Sequence, residues 1–254
     1  MSFKFVEDRL ETTVKSKFPS LDFENVLENF TSKLIRLRNI IYSIKVVGGI
    51  SDGAVWNEMR IQCMMMLFLN YIFDVCFVDF VVTAANNDEI ELQVIDIDDQ
   101  PAVWKGTTDL KCSHRESTAI SEATATLEMK MPFNNSDPRL FKSKALQPKQ
   151  QLLGQAMGLN SKLSYLTDIF AVSVMYHLNE GYYLSERVTD ARKFCLRLLL
   201  MRCGDLSSEE WISLMDNDTC PVDLSDDDGA EQQVSSDSSV ALRGVKARCV
   251  WRLP

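Results

Sequence analysis

The chain has 254 residues, enough to bury a full hydrophobic core, and a formal charge of −9 from 27 basic and 36 acidic residues. Its seven cysteines are odd in number and widely scattered, with no Cys-x-x-Cys pair, which disfavours a disulfide framework or a cysteine zinc site and suits a reducing compartment. The two histidines, His114 and His177, are not spaced for a metal cage or a nucleophile–base pair.

The N-terminus lacks a basic stretch leading into an apolar run, so no signal peptide is read there and an intracellular location, cytoplasmic or nuclear, is expected. Over 22–44, Leu27, Phe30, Leu34, Leu37 and Ile41 recur at three- and four-residue spacing and predict an amphipathic helix. Gly48-Gly49 and Ser51-Asp52-Gly53 end it, and Ser51 or Asp52 is placed to cap the next helix, about 54–74. That helix carries Glu58 and Arg60 at its start and then a methionine-rich run suited to core packing. The apolar stretch 61–82 is interrupted by Gln62, Asn70, Asp74 and Asp79. An Asp at mid-membrane costs about 2.5–3.5 kcal/mol, so the stretch reads as a buried helix running into a short strand, and no membrane partner is expected.

Strands are expected at 76–83, 90–97 and 103–111, with Asn86-Asn87-Asp88 as a turn, and at 123–131 after a polar connection. Beyond a loop rich in Asn, Ser and Pro, Gln147-Pro148 opens a helix on which Gln151 and Gln155 share a face. A hairpin is expected from 169–177 and 182–187, then a last helix over 189–203. This order predicts an α/β fold with a central mixed sheet flanked by helices. It divides into an N-terminal helical region (1–53), a core (54–205) and an acidic tail ending in a short basic segment (206–254).

Charge is unevenly distributed. From 216 to 239 there are eight acidic residues and no Lys or Arg, and that stretch reads as disordered; without it the balance is 27 basic to 28 acidic. It is a candidate shield for a basic site or a contact for a protein partner, with Ser225 before Asp226-Asp227-Asp228 as a phosphorylation candidate; a solubilising linker has the same composition. From 138 to 167 the pattern reverses: Arg139, Lys142, Lys144, Lys149 and Lys162 occur with no acid, as phosphate contacts require and as a solvated helix face also shows. No glycine-rich dinucleotide or phosphate loop is present.

The most informative pattern lies at 109–130. In Thr124-Ala125-Thr126-Leu127-Glu128-Met129-Lys130-Met131 the apolar residues alternate, so Glu128 and Lys130 project from one face of a strand. If Asp109 comes alongside, its carboxylate and that of Glu128 can hold a hard divalent cation, with Lys130 beside it to position a water. Charged residues also alternate on ordinary solvent-facing strands, and both readings fit the pattern alone.

With Gly106-Thr107-Thr108-Asp109 followed by Glu128-Met129-Lys130, Glu58 upstream and Gln151 or Gln155 downstream, the chain resembles the PD-(D/E)xK nuclease superfamily over roughly 54–187. The Pro that often precedes the family's Asp is replaced by Thr108. The resemblance implies a restriction-endonuclease-like core and a magnesium-dependent (or manganese-dependent) nuclease acting on nucleic acid, DNA before RNA. It implies that Asp109 and Glu128 bind the metal, with the Met129 carbonyl as a further ligand and Glu58 acting through water. Lys130 would position the attacking water and stabilise charge, and Gln151 would order the site. Lys142, Lys144, Lys149 and Gln155 are the corresponding candidates for nucleic-acid contact. The Gly-x-x-Asp at 106–109, Leu-Glu-Met-Lys at 127–130 and Gln-Leu-Leu-Gly-Gln at 151–155 together look most like nuclease-like domains of eukaryotic mobile elements and of secreted Crinkler-type effectors, although the leucine-rich translocation motif of the latter is absent. The alternative is a catalytically inactive module that keeps the nuclease fold to bind nucleic acid or a protein.

Overall fold

The computed structural model describes residues 2–48, 58–77, 79–85, 89–95, 101–116, 123–130, 146–159, 161–178 and 181–216. The expected caps at Ser51 and Asp52, Lys142 and Lys144, the acidic stretch from 217 and the basic C-terminal segment lie outside these residues.

A two-residue strand β1 (Ser2–Phe3) leads into α1 (Glu7–Ser16), which buries Leu10 and Val14. The long α2 (Phe23–Gly48) buries Leu27, Phe30, Leu34 and Ile41 on the stripe expected from spacing, with Leu37 only partly covered. Helix α3 (Glu58–Cys76) follows, then β2 (Phe80–Ala84). Cys76 therefore closes a helix and does not open the expected strand. The side chain of Asn70, on α3, bonds both backbone groups of Val82: its Nδ2 donates to the carbonyl at 3.0 Å and its Oδ1 accepts from the N–H at 2.9 Å. Residues Met59–Cys76 are long and apolar enough to cross a membrane by length and composition alone. In the fold, Ile61, Met65, Leu69, Ile72 and Phe73 of this helix are buried, while Met59 and Leu67 are exposed.

The expected strand over 103–111 is two strands. β3 (Ile90–Ile95) and β4 (Pro101–Gly106) form a separate antiparallel ribbon, and β5 (Leu110–His114) belongs to the main sheet. The break spans Thr107–Asp109. Just before it, the Trp104 ring lies over Gly106 and over Gly154 of the later helix α4 (Leu146–Gly158). A Cβ on Gly154 would come within 2.6 Å of that ring, so a glycine is needed there.

β6 (Ala125–Met129) pairs antiparallel with β5 and parallel with β7 (Leu163–Thr167). β7 is not evident in the sequence: its five residues are too short to show a period. β8 (Val172–Leu178) and β9 (Gly181–Ser185) form the expected hairpin, starting later than predicted. Asp168 forms a side-chain turn, accepting from the N–H groups of Phe170 and Ala171, and Ile169 takes a φ of 71°, so a strand cannot begin there. Helix α5 (Ala191–Leu199) tightens into a 3-10 turn at Leu200–Cys203, and a capping box of Ser207 and Glu210 starts α6 (Ser208–Ser213).

The main sheet runs β1-β9-β8-β7-β6-β5-β2. One face packs on α1, α2, α3 and α5 in a single apolar cluster extending from Phe3 to Met215. Leu206, Trp211, Leu214 and Met215, which the sequence division placed with the tail, are buried in that same cluster. The opposite face is covered by α4, where Leu152 and Ala156 meet Met175, and the ribbon packs on α4 from outside. The architecture is α/β with a central mixed sheet, as expected.

Candidate active site

β5 and β6 bring the motif together. Their register sets Leu110 opposite Leu127, so the residue before β5, Asp109, comes level with Glu128. Thr108 secures that approach: it is fully buried, and its hydroxyl donates to the Leu127 carbonyl at 3.1 Å. Thr108, which stands where the resemblance would place a proline, thus ties the Asp109 segment to β6, which a proline side chain could not do.

Both oxygens of Asp109 are bonded. Oδ2 accepts from the Met129 N–H at 2.6 Å, and Oδ1 accepts from Gln62 Nε2 of α3 at 2.5 Å. Met129 is therefore at the site through its backbone, while its side chain is buried in the core. Glu128 projects to the opposite face, under α4, and is 1% exposed. Its Oε1 accepts from Lys130 Nζ, and its Oε2 accepts from Gln155 Nε2 at 2.7 Å. Lys130 is partly exposed, and its ammonium also lies 3.4 Å from Gln151 Oε1. Burial pushes the Glu128 carboxyl up to about 7, and the neighbouring charge of Asp109 adds to this; Lys130 and the Gln155 bond pull the other way without cancelling it.

The structure thus brings together Asp109, Glu128, Lys130 and Gln151. Glu58 begins α3 one turn before Gln62, and its side chain lies outside the described residues. Lys149 is exposed on α4. Gln155 departs from its expected role as a nucleic-acid contact. It is fully buried, and its Nε2 donates to Glu128 and, at 2.5 Å, to the Thr107 carbonyl, so it braces the site from within. Sequence reasoning missed Gln62 and Thr108 as site residues. The signal for Gln62 was its position four residues after Glu58, on the same helix face.

Among the described residues no group of three or more His, Cys, Asp or Glu side chains converges to hold a metal. Two carboxylates suffice for Mg2+, which keeps several of its waters. The donor set fits such an ion: two carboxylates repel each other here, and Gln155 Oε1 is a buried acceptor without a hydrogen-bond partner. The histidines are elsewhere, His114 against Phe80 and His177 stacked on Tyr182. Burial pushes the thiols of Cys76, Cys195 and Cys203 up to about 12, so none is a ready nucleophile. Comparison with models of known families, with curated proteins and with solved structures gave no match.

Proposed function

We propose that the chain is a metal-dependent nuclease with a restriction-endonuclease-like core, hydrolysing phosphodiester bonds of nucleic acid, DNA in preference to RNA. The observation that carries this reading is the convergence of Asp109, from the bend before β5, with Glu128 and Lys130 at the end of β6, braced by Gln151 and Gln155. A solvent-facing strand would leave Glu128 in water; here it is buried at a shifted pKa, the condition that marks functional carboxylates.

In this reading Asp109 and Glu128 hold Mg2+ or Mn2+, with Glu58 and the Met129 carbonyl as further contributors. The ion supplies Lewis-acid polarisation of the phosphate and a more acidic bound water. Lys130 holds the attacking water through its ammonium and stabilises the negative charge that builds on the phosphate oxygens. Gln151 accepts from that ammonium and fixes its direction, and Gln155 keeps Glu128 in place. Lys142, Lys144 and Lys149 are positioned in sequence to meet the nucleic-acid backbone. The acidic stretch after 216 is a candidate contact for a protein partner, and a mobile-element or effector nuclease remains the narrower placement.

A binding module without turnover is the second reading. It is favoured by the burial of Glu128 and its closure by Lys130 and Gln155. Cleavage of single- and double-stranded DNA and RNA with Mg2+, Mn2+ or EDTA, comparing the parent with Lys130→Ala, separates the two. Metal-dependent cleavage reduced at least about a hundredfold in the variant is expected. Binding without cleavage by the folded parent selects the second reading, and neither binding nor cleavage removes both.

A further inference from the structure

Gln62 is a buried amide, 7% exposed, on a helix whose neighbouring residues Met59, Arg60 and Cys63 are exposed. A buried amide must find partners, and this one donates to Asp109 at 2.5 Å. We propose that Gln62 is the positioning residue of this site, holding the Asp109 carboxylate beside Glu128 in the geometry that receives the metal; the proposal rests on the metal-dependent reading above.

Asp109 stands in the bend between the ribbon and β5, outside the strand ladder. Backbone pairing does not set a side-chain rotamer, so the direction of its carboxylate is set by the bonds it makes. Glu128 is a like charge nearby, and Lys130, the adjacent cation, is bonded to Glu128. Repulsion alone would turn Asp109 away. Two donors oppose this: the Met129 N–H belongs to β6 and fixes one oxygen, and Gln62 fixes the other from a different layer of the fold. A carboxylate held at both oxygens cannot rotate out of line, and this is how residues behind a ligand set metal affinity. Gln62 touches Asp109, and its action on metal or substrate runs through that carboxylate.

The test is Mn2+ binding by titration calorimetry and electron paramagnetic resonance on the full chain, with circular dichroism to establish folding. Gln62→Met keeps the volume and removes the donor. Mn2+ affinity is expected to fall roughly ten- to a hundredfold. Gln62→Ala, which leaves space for a water to bond Asp109, serves if the Met variant does not fold, and is expected to lose less. Because Gln62 acts through Asp109, adding Gln62→Met to Asp109→Asn should produce little further loss. Unchanged affinity in the folded variants, or equal losses with and without Asp109→Asn, overturns the positioning role while leaving the metal site standing. A parent protein that binds no Mn2+ overturns both.

Discussion

Replacing Glu128 with Gln should make the metal-free protein more stable in alkaline buffer, although the substitution removes a residue from the centre of the site. The folded carboxyl keeps its proton up to about 7, whereas the unfolded chain releases it near 4.5. Between those values the folded state binds the extra proton, so this residue's contribution to stability falls as pH rises and is fully lost above about 7. The interval is about 2.5 pH units at about 1.4 kcal/mol each, or about 3.5 kcal/mol over the whole titration. At 1% exposure there is little solvent screening to reduce it. Gln has nearly the shape of the protonated acid and does not titrate. Part of that is already lost at pH 5, so the variant-minus-parent stability difference should grow by about 2.5 kcal/mol from pH 5 to pH 8, on the order of 5–10 °C in Tm for a chain of this size. Thermal unfolding in EDTA across that range is the assay, and the other carboxylates cancel in the difference. Saturating Mg2+ should raise the parent's Tm and move the variant much less. A difference that stays flat with pH, or shrinks as pH rises, would refute the claim that Glu128 is buried against its own charge.

Thr108→Val should cost about 1 kcal/mol and weaken the Mg2+-induced rise in Tm, because the hydroxyl that anchors the Asp109 segment to Leu127 is gone. Thr108→Ser should keep both, and a Ser variant behaving like Val would remove the argument. Trp211→Ala should cost about 3–5 kcal/mol by urea unfolding, since the indole is fully buried and stacked on Tyr176 at 3.9 Å. A loss below about 1 kcal/mol would mean that α6 does not hold the fold together.

The alternation around Glu128 was legible because a strand's period places side chains on a face with little ambiguity. The same rule could not show that the polar face is also covered. That cover comes from α4, and a helix's docking partner is not written in its own spacing. Leu27, Phe30, Leu34 and Ile41 were legible for the same periodic reason. The packing of Trp104 against Gly106 and Gly154 was not, because Trp104 and Gly154, far apart in sequence, are brought together only by tertiary contact. Gln62 looked like an interruption in an apolar helix; only its hydrogen bond to Asp109 gives it a meaning. The capping box at Ser207 and Glu210 was readable in principle, but the acidic composition that follows drew the boundary too early.

Asn70 presents one donor and one acceptor to Val82, as the backbone of an adjoining strand would. β2 ends the order of the main sheet among the described residues, so its outer backbone groups are where another chain could add itself by edge pairing. A side chain occupying that position caps the ladder at Val82 with a group that cannot be extended. At Val82, the middle of β2, the edge is therefore already occupied, and strand addition there would first have to displace Asn70.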